Sequence, residues 1–233
     1  MHLVPITHRL RRLARPGALN AAVALAATFG IPSEARAQAC VPENCLPPPN
    51  SAYATASIFN FNFLGTTFDL DDLNLHDFTL CGPPPPSSPG ASTTLQFDAA
   101  ADFAASVNGG APTPGQVLAH WTMLVRFNHQ SGSTLFFDTE ILQLQLSGAT
   151  LPLGAMIRES PTLASVGQTT IESLGGGNFR IDSFFDVFFE LSLNGGISWV
   201  PELNGPGLLT LAGPGCPTSN RASSWGSVKV IYR

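Results

Sequence analysis

Carboxylates are the side chains with the most chemical potential in this sequence, and several of them fall on one strand. In the segment 181–192, one face of an extended chain carries Asp182, Phe184, Asp186, Phe188 and Glu190. Acids beside aromatic rings suit contact with a sugar. However, Asp182 and Asp186 lie about 13 Å apart in a strand, whereas a glycosidase pair needs roughly 5–9.5 Å. A hydrolytic pair therefore requires Asp138 or Glu140 from another strand, and we expect no catalytic residue.

The densest acidic run is the segment 69–77, DLDDLNLHD, in which Asp69, Asp71 and Asp72 are the candidate metal ligands. Calcium binds oxygen ligands supplied at alternating positions of a loop. The run lacks the glycine and the bidentate glutamate of an EF-hand loop. We therefore expect a solvated loop or strand edge, with calcium as the alternative, and no other cofactor.

Four cysteines, Cys40, Cys45, Cys81 and Cys216, form the second reactive set. An even number of cysteines in an exported protein predicts two disulfides, for which three pairings exist. We favour Cys40–Cys45 as a short local loop and Cys81–Cys216 as a long staple. A zinc site is the alternative, but Cys81 and Cys216 have no closely spaced partner ligands.

The elements that position these residues are predicted to be strands. Apolar and polar residues alternate in the segments 57–63, 141–147 and 227–233, which is typical of strands with one buried face. In the second of these, Leu142, Leu144 and Leu146 are predicted to share the buried face. Asn-Gly and Gly-Gly turn signals separate the strands. The sequence therefore predicts an all-β fold, a single β-sandwich of immunoglobulin-like or jelly-roll type with roughly eight to ten strands.

The N-terminus has the three parts of a secretory signal peptide. Its basic residues are His8, Arg9, Arg11, Arg12 and Arg15. An apolar run, 18–31, follows, and Ala35 and Ala37 supply the small residues that signal peptidase requires. An uncleaved membrane anchor is the alternative, but the run is shorter than the about 20 residues that span a bilayer. We expect residues 1–37 to be removed, 38–52 to form a proline-rich lead-in, and 53–233 to form one domain with a proline-rich loop at 82–90.

The hairpin SLNGGISW, Ser192–Trp199, resembles the Asp-box, S-x-D-x-G-x-T-W, of sialidases and other propeller proteins. Ser192, Gly196 and Trp199 match the motif, whereas Asn194 replaces its aspartate and Ser198 its threonine. In that family the box is a folding element in which the acidic side chain caps the turn and the tryptophan packs beneath it. The resemblance implies a structural hairpin. It does not extend to the sialidase propeller, which needs far more chain.

A longer region, 92–212, resembles a group of secreted bacterial proteins of unknown function. The resemblance rests on the segments FDTEILQL (137–144), MIRESPT (156–162) and IDSFFDVF (181–188). Many members of that group end in a PEP-CTERM-type sorting segment, which this sequence does not contain. The resemblance implies export and a bacterial source, and it implies no activity.

Charge restricts the partners that the exported chain is expected to bind. The 11 basic and 16 acidic residues include five arginines and one glutamate within 1–37, so 6 basic and 15 acidic residues follow that segment. Nucleic acids and anionic membranes are disfavoured, because binding to them needs clustered Lys and Arg. We expect a secreted, non-enzymatic structural, surface or matrix protein with a carbohydrate or matrix partner. A carbohydrate-binding module is the alternative, and a glycoside hydrolase is the third candidate.

The export hypothesis predicts that the mature protein begins at Gln38, because Ala35 and Ala37 occupy the positions that signal peptidase recognises. N-terminal sequencing of protein secreted by a bacterial host measures this directly. A mature protein that retains Met1 would contradict the prediction.

Overall fold

The described part of the chain contains thirteen strands and one short 3-10 helix. The structure is a computed structural model that describes residues 44–79 and 82–213, and the backbone of 38–41. The strands are β1 (Gln38–Val41), β2 (Ala52–Ala54), β3 (Phe59–Phe63), β4 (Thr66–His76), β5 (Ser92–Val107), β6 (Thr113–Ser131), β7 (Thr134–Ser147), β8 (Met156–Glu159), β9 (Ser165–Gly175), β10 (Asn178–Val187), β11 (Phe189–Ser192), β12 (Val200–Pro201) and β13 (Gly207–Ala212). The 3-10 helix is Pro152–Gly154. The predicted signal peptide and the predicted strand at 227–233 lie outside the described residues.

Eight of the strands form a closed antiparallel barrel. Their order is β10-β13-β2-β4-β5-β6-β7-β9, and β9 pairs again with β10. The predicted all-β class is confirmed. The pairing gives one sheet that closes on itself in place of the two separate sheets of a sandwich, because β9 pairs with both β7 and β10. Alternation along a strand reports which side chains are buried, but it does not report which strand edges meet.

The longest strands extend beyond the barrel and carry a second group of strands. β5, β6 and β7 contain 16, 19 and 14 residues. At one end, β7 pairs with β8, β8 with β11, and β11 with β12, while β3 pairs with β4. The two branches meet where the backbone N–H of Leu203 donates to the Asn60 carbonyl at 2.9 Å. The rings of Phe59 and Phe189 also pack edge to face there, with centroids 4.8 Å apart.

Aromatic rings fill the barrel interior. Trp121 is 2% exposed, and its ring centroid lies 5.2 Å from that of Tyr53, 5.4 Å from that of Phe97 and 5.9 Å from that of Phe185. Phe78 packs edge to face against Phe97 at 5.6 Å. Tilted and edge-to-face contacts of this kind add to the hydrophobic gain from burial. The interior of the barrel is therefore a packed core.

Three hydroxyl groups inside the core satisfy one another. Tyr53 Oη donates to Ser183 Oγ at 2.9 Å, and Ser183 Oγ lies 2.8 Å from Thr169 Oγ1. Burial raises the pKa of the Tyr53 phenol well above its ordinary value. This chain connects β2, β10 and β9. It lets polar groups lie in the core without the cost of an unpaired donor.

One predicted face is wrong in β7. The register between β6 and β7 shifts by one residue after Thr122. Thr122 pairs with Gln143, but the next residue, Met123, pairs with Ile141. Leu142 is the extra residue of this bulge and is 45% exposed, whereas Leu144 and Leu146 are buried. A bulge reverses the alternation that follows it, so Ile141 takes the inward position that the sequence assigned to Leu142.

Closure of the barrel depends on close approach between β9 and β10. Gly167 of β9 lies opposite Phe185 on one side and Thr139 of β7 on the other. A Cβ atom built at Gly167 would overlap the backbone carbonyl oxygen of Phe184. Only a residue without a side chain therefore allows the two strands to approach at this point.

Gly167→Ala should destabilise the protein by roughly 1–3 kcal/mol or more, because the added methyl group must push β9 away from β10. Val166→Ala is the matched control, because Val166 precedes Gly167 and is 51% exposed. Urea unfolding of both variants measures the effect. Equal midpoints for Gly167→Ala and the unmodified protein would contradict this account of closure.

Candidate functional site

A groove of about 410 Å³ crosses the outer face of the barrel where β6, β7, β9 and β10 lie side by side. The side chains that line it come from all four strands. They include Leu124, Arg126, Asp138, Glu140, Val166, Gln168, Phe184 and Asp186. Concave sites with apolar walls and a few polar groups are the usual form of a small-ligand site.

Strand register arranges these side chains in two parallel rows. The first row contains Leu124, Glu140 and Val166, which pair across β6, β7 and β9, and Asp186 and Leu208, which pair across β10 and β13. The β9–β10 register runs to Phe185 opposite Gly167, so Asp186 and Val166 are the next residues along the two strands. The second row runs Arg126, Asp138, Gln168, Phe184 and Thr210. Side chains opposite one another on neighbouring strands lie close enough to touch. The groove therefore offers acidic, amide, guanidinium and apolar groups side by side.

The three carboxylates of the groove differ in how they are satisfied. Asp138 accepts hydrogen bonds from Asn128 Nδ2, which lies 3.0 Å from each carboxylate oxygen. Within 44–79 and 82–213, the half-buried carboxylates of Glu140 and Asp186 have neither a hydrogen-bond donor nor a cationic partner. These two oxygen-bearing groups are therefore available to a ligand.

Carboxylates expected to meet across strands do so only in part. Asp138, Glu140 and Asp186 line the same groove, with Phe184 beside them. Asp182 does not line the groove. Glu190 lies on β11, where Arg158 binds it. The closed barrel thus places Asp138 and Glu140 of β7 in one groove with Asp186 of β10, as a carboxylate pair from two strands requires.

A buried glutamate that the sequence analysis did not single out lies beside the groove. Glu159 ends β8, is 8% exposed, and accepts a hydrogen bond from Ser165 Oγ at 3.2 Å. Burial raises the Glu159 pKa to about 7, the negative charges of Glu140 and Glu190 add to the rise, and Ser165 and Arg158 oppose it. Glu159 lies two residues after Ile157, so both side chains point to the same, buried face of β8. This spacing is the feature of the sequence from which the burial of Glu159 could be predicted.

Glu159 joins three segments where β8 and β9 diverge from β7. Its partner Ser165 begins β9, and Ser165 Oγ also accepts the backbone N–H of Phe188 at 3.2 Å. The next residue, Ser160, donates its backbone N–H to the Phe188 carbonyl at 2.7 Å. The protonated carboxyl is therefore part of the joint that holds the end of β8 against the link between β10 and β11.

The aromatic ring of Trp199 is covered by an arginine. Arg158 Cζ lies 4.0 Å from the ring centroid, a cation–π contact. The Arg158 Nε and Nη2 atoms donate to Glu190 Oε2 at 3.0 and 2.7 Å, and Ser160 Oγ donates to Glu190 Oε1 at 3.0 Å. This network fixes Arg158 over the ring.

The indole N–H of Trp199 binds its own hairpin. Trp199 Nε1 donates to the Gly196 carbonyl at 3.1 Å. Ser192 Oγ accepts the N–H of Gly196 at 2.9 Å and donates to Asn194 Oδ1 at 2.9 Å. Asn194 Oδ1 in turn accepts the N–H of Ser198 at 3.0 Å. Side-chain oxygens of Ser192 and Asn194 thus satisfy the backbone donors of the turn.

The aspartates proposed for calcium lie on β4 and do not converge. Asp69 accepts hydrogen bonds from Asn60 Nδ2 at 2.6 Å and from Ser106 Oγ at 3.1 Å. Asp71 accepts the backbone N–H of Asp72, whose φ is 52°. Among the residues that the structure describes, no three His, Cys, Asp or Glu side chains are placed to share a metal ion.

The cysteines are described only in part. Cys45 is buried and disulfide-bonded, and no described cysteine has a free thiol. Cys40 lies on β1 opposite Arg180 of β10. Cys81 and Cys216 lie outside the described residues. The pairings Cys40–Cys45 and Cys81–Cys216 therefore stay predictions.

Comparison with known proteins assigns no family. No protein-family model, curated protein or solved structure matches the chain. No helix between residues 44 and 213, the gap at 80–81 aside, has the length and apolar character needed to cross a membrane. The function must therefore be inferred from the groove itself.

Glu159 makes stability depend on pH. Its pKa rises from 4.5 to about 7 on folding, so its stabilising effect is complete below about pH 4.5 and is lost as pH rises to about 7. Between pH 5 and pH 8, the advantage of the unmodified protein over Glu159→Gln should fall by roughly 2–3 kcal/mol. Chemical unfolding at both pH values measures this difference.

Glu172→Gln is the matched control for this experiment. Glu172 lies on β9 away from Glu159, where it pairs with Arg180 at 2.9 Å. Its stability should follow that of the unmodified protein between pH 5 and pH 8. Parallel stability curves for the unmodified protein and Glu159→Gln would show that Glu159 does not titrate in this range.

Proposed function

We propose that this chain is an exported, non-enzymatic surface or matrix protein that binds carbohydrate in the outer groove of its barrel. The observation that carries the proposal is the lining of the groove, where Phe184 and Val166 lie between carboxylate and amide side chains. Export rests on the signal-peptide pattern of residues 1–37. The resemblance of residues 92–212 to secreted bacterial proteins supports the same location.

The chemistry of a sugar ring matches this lining. A pyranose presents apolar C–H bonds on its faces and hydroxyl groups around its edge. Val166, which is 51% exposed, provides surface for the apolar face. Glu140 and Asp186 accept hydrogen bonds from hydroxyl groups, while Gln168 both donates and accepts. A groove that runs across several strands also suits an extended oligosaccharide.

Hydrolysis requires two carboxyl groups at a defined separation. Glu140 lies on β7 and Asp186 on β10, with β9 between them, so two strand spacings, about 10 Å, separate their backbones. The two carboxyl groups of a retaining glycosidase are only about 5–5.5 Å apart, and those of an inverting enzyme are roughly 6.5–9.5 Å apart. The backbone separation is nearer to the inverting range, so an inverting glycoside hydrolase is the second candidate.

Calorimetric titration with a panel of hexasaccharides tests the proposed function. The panel contains cellohexaose, laminarihexaose, N-acetylglucosamine hexamer and glucosamine hexamer. We expect saturable binding of at least one of them without release of shorter products. Gln168→Ala should weaken that binding at least about tenfold, which corresponds to the loss of one good contact.

Gln143→Ala is the matched control, because Gln143 is exposed on β7 outside the groove. It should bind like the unmodified protein, and thermal unfolding confirms that each variant is folded. Failure of the whole panel to bind would contradict the proposed function. Release of shorter sugars would instead favour the hydrolase.

A further inference from the structure

The groove carries more negative than positive charge. Asp138, Glu140 and Asp186 line it, and among the described residues Arg126 supplies the one guanidinium of the lining. Arg126 lies opposite Asp138 in the second row, two residues along β6 from the row that contains Glu140 and Asp186. Within the described part of the chain, the first row therefore contains two acids and no cation.

The two acids of the first row have no partner among the described residues. Half-buried carboxylates lose hydration and are normally compensated by a donor or a cation. An ammonium group placed in the groove would restore this compensation through charge-assisted hydrogen bonds.

The spacing of the two acids matches a repeating ligand. Glu140 lies on β7 and Asp186 on β10, with β9 between them, so two strand spacings, about 10 Å, separate their backbones. In an extended β-1,4-linked saccharide, successive rings are turned over, so substituents on one side recur once per disaccharide. That repeat is close to the separation of the two acids. Val166 and Leu208, 51% and 43% exposed, give apolar surface beside each acid for the ring faces.

We propose that the groove selects saccharides with free amino groups, of the β-1,4-linked glucosamine class, whose ammonium groups pair with Glu140 and Asp186. This inference rests on the proposed carbohydrate-binding function and specifies its ligand. Neutral chains of the same geometry leave both carboxylates with hydroxyl partners alone. Uronic acid chains bring carboxylates toward these two acids and are repelled. The net negative charge of the chain, −5 over all residues, also favours approach of a cationic polymer.

Three hexamers that differ only at C2 test the selectivity. Glucosamine, N-acetylglucosamine and glucose hexamers share the β-1,4 linkage and carry an ammonium, an acetamido and a hydroxyl group there. At pH 6 and low salt, we expect the glucosamine hexamer to bind at least about tenfold more tightly than the other two. Its affinity should fall as salt rises, because screening weakens exposed ion pairs. A galacturonate hexamer should not bind.

Isosteric substitutions separate charge from shape. Glu140→Gln and Asp186→Asn should each weaken glucosamine hexamer binding about tenfold or more and leave binding of the acetylated hexamer within about twofold. Asp98→Asn is the control, because Asp98 lies on β5 outside the groove, paired with His120. It should change neither affinity. Thermal unfolding checks that all three variants are folded.

The outcomes distinguish this inference from the function on which it rests. Equal binding of the three hexamers, with no effect of Glu140→Gln, would overturn the selectivity and leave carbohydrate binding intact. No binding of any hexamer would overturn both. Hexalysine that binds as tightly as the glucosamine hexamer, with the same losses in both variants, would show that the groove takes cationic peptides and would also overturn the inference.

Discussion

The double pairing of β9 is the constraint on which the rest of the structure depends. β9 pairs with β7 through residues 165–172 and with β10 through residues 167–175. Without this strand, the sheet would have two open edges, exposing unpaired backbone groups on both sides. At Gly167, a Cβ atom would overlap the Phe184 carbonyl oxygen of β10. The same strand lies between β7, which carries Glu140, and β10, which carries Asp186, so the pairing that closes the barrel also builds the groove.

The two faces of the closed sheet have separate tasks. Inward side chains such as Trp121, Tyr53 and Phe185 supply buried area and aromatic contacts, and the Tyr53 hydroxyl donates to Ser183. Because the inward side chains stabilise the barrel, the outer faces of β7 and β10 can carry Glu140 and Asp186, which have no partner among the described residues. Glu159 departs from this division. It is a carboxyl group on the buried face of β8, beside the barrel, and its ionisation as pH rises lowers the stability of the protein.

Much of the fold was predictable from the sequence, because alternation is a local property. Phe59, Phe61 and Phe63 are all buried, as their spacing predicts. The failures come from events that no local pattern contains. The bulge that exposes Leu142 depends on the register between β6 and β7, and closure of the sheet also depends on β13 pairing with β10 and with β2, which lie far apart in sequence. Of the groove, the sequence named Asp138, Glu140, Phe184 and Asp186, but Arg126, Val166 and Gln168 join them only through the barrel.

Cross-strand nuclear Overhauser effects from β9 test the central claim most directly, namely that one strand closes the barrel and builds the groove. In the labelled protein, contacts from the backbone protons of residues 165–171 should reach both β7, near Thr139, and β10, near Phe185, in the antiparallel registers of the structure. Contacts to both strands would establish that Glu140, Val166 and Asp186 lie side by side. Contacts from β9 to only one of the two strands would show an open sheet and would contradict both the barrel and the groove.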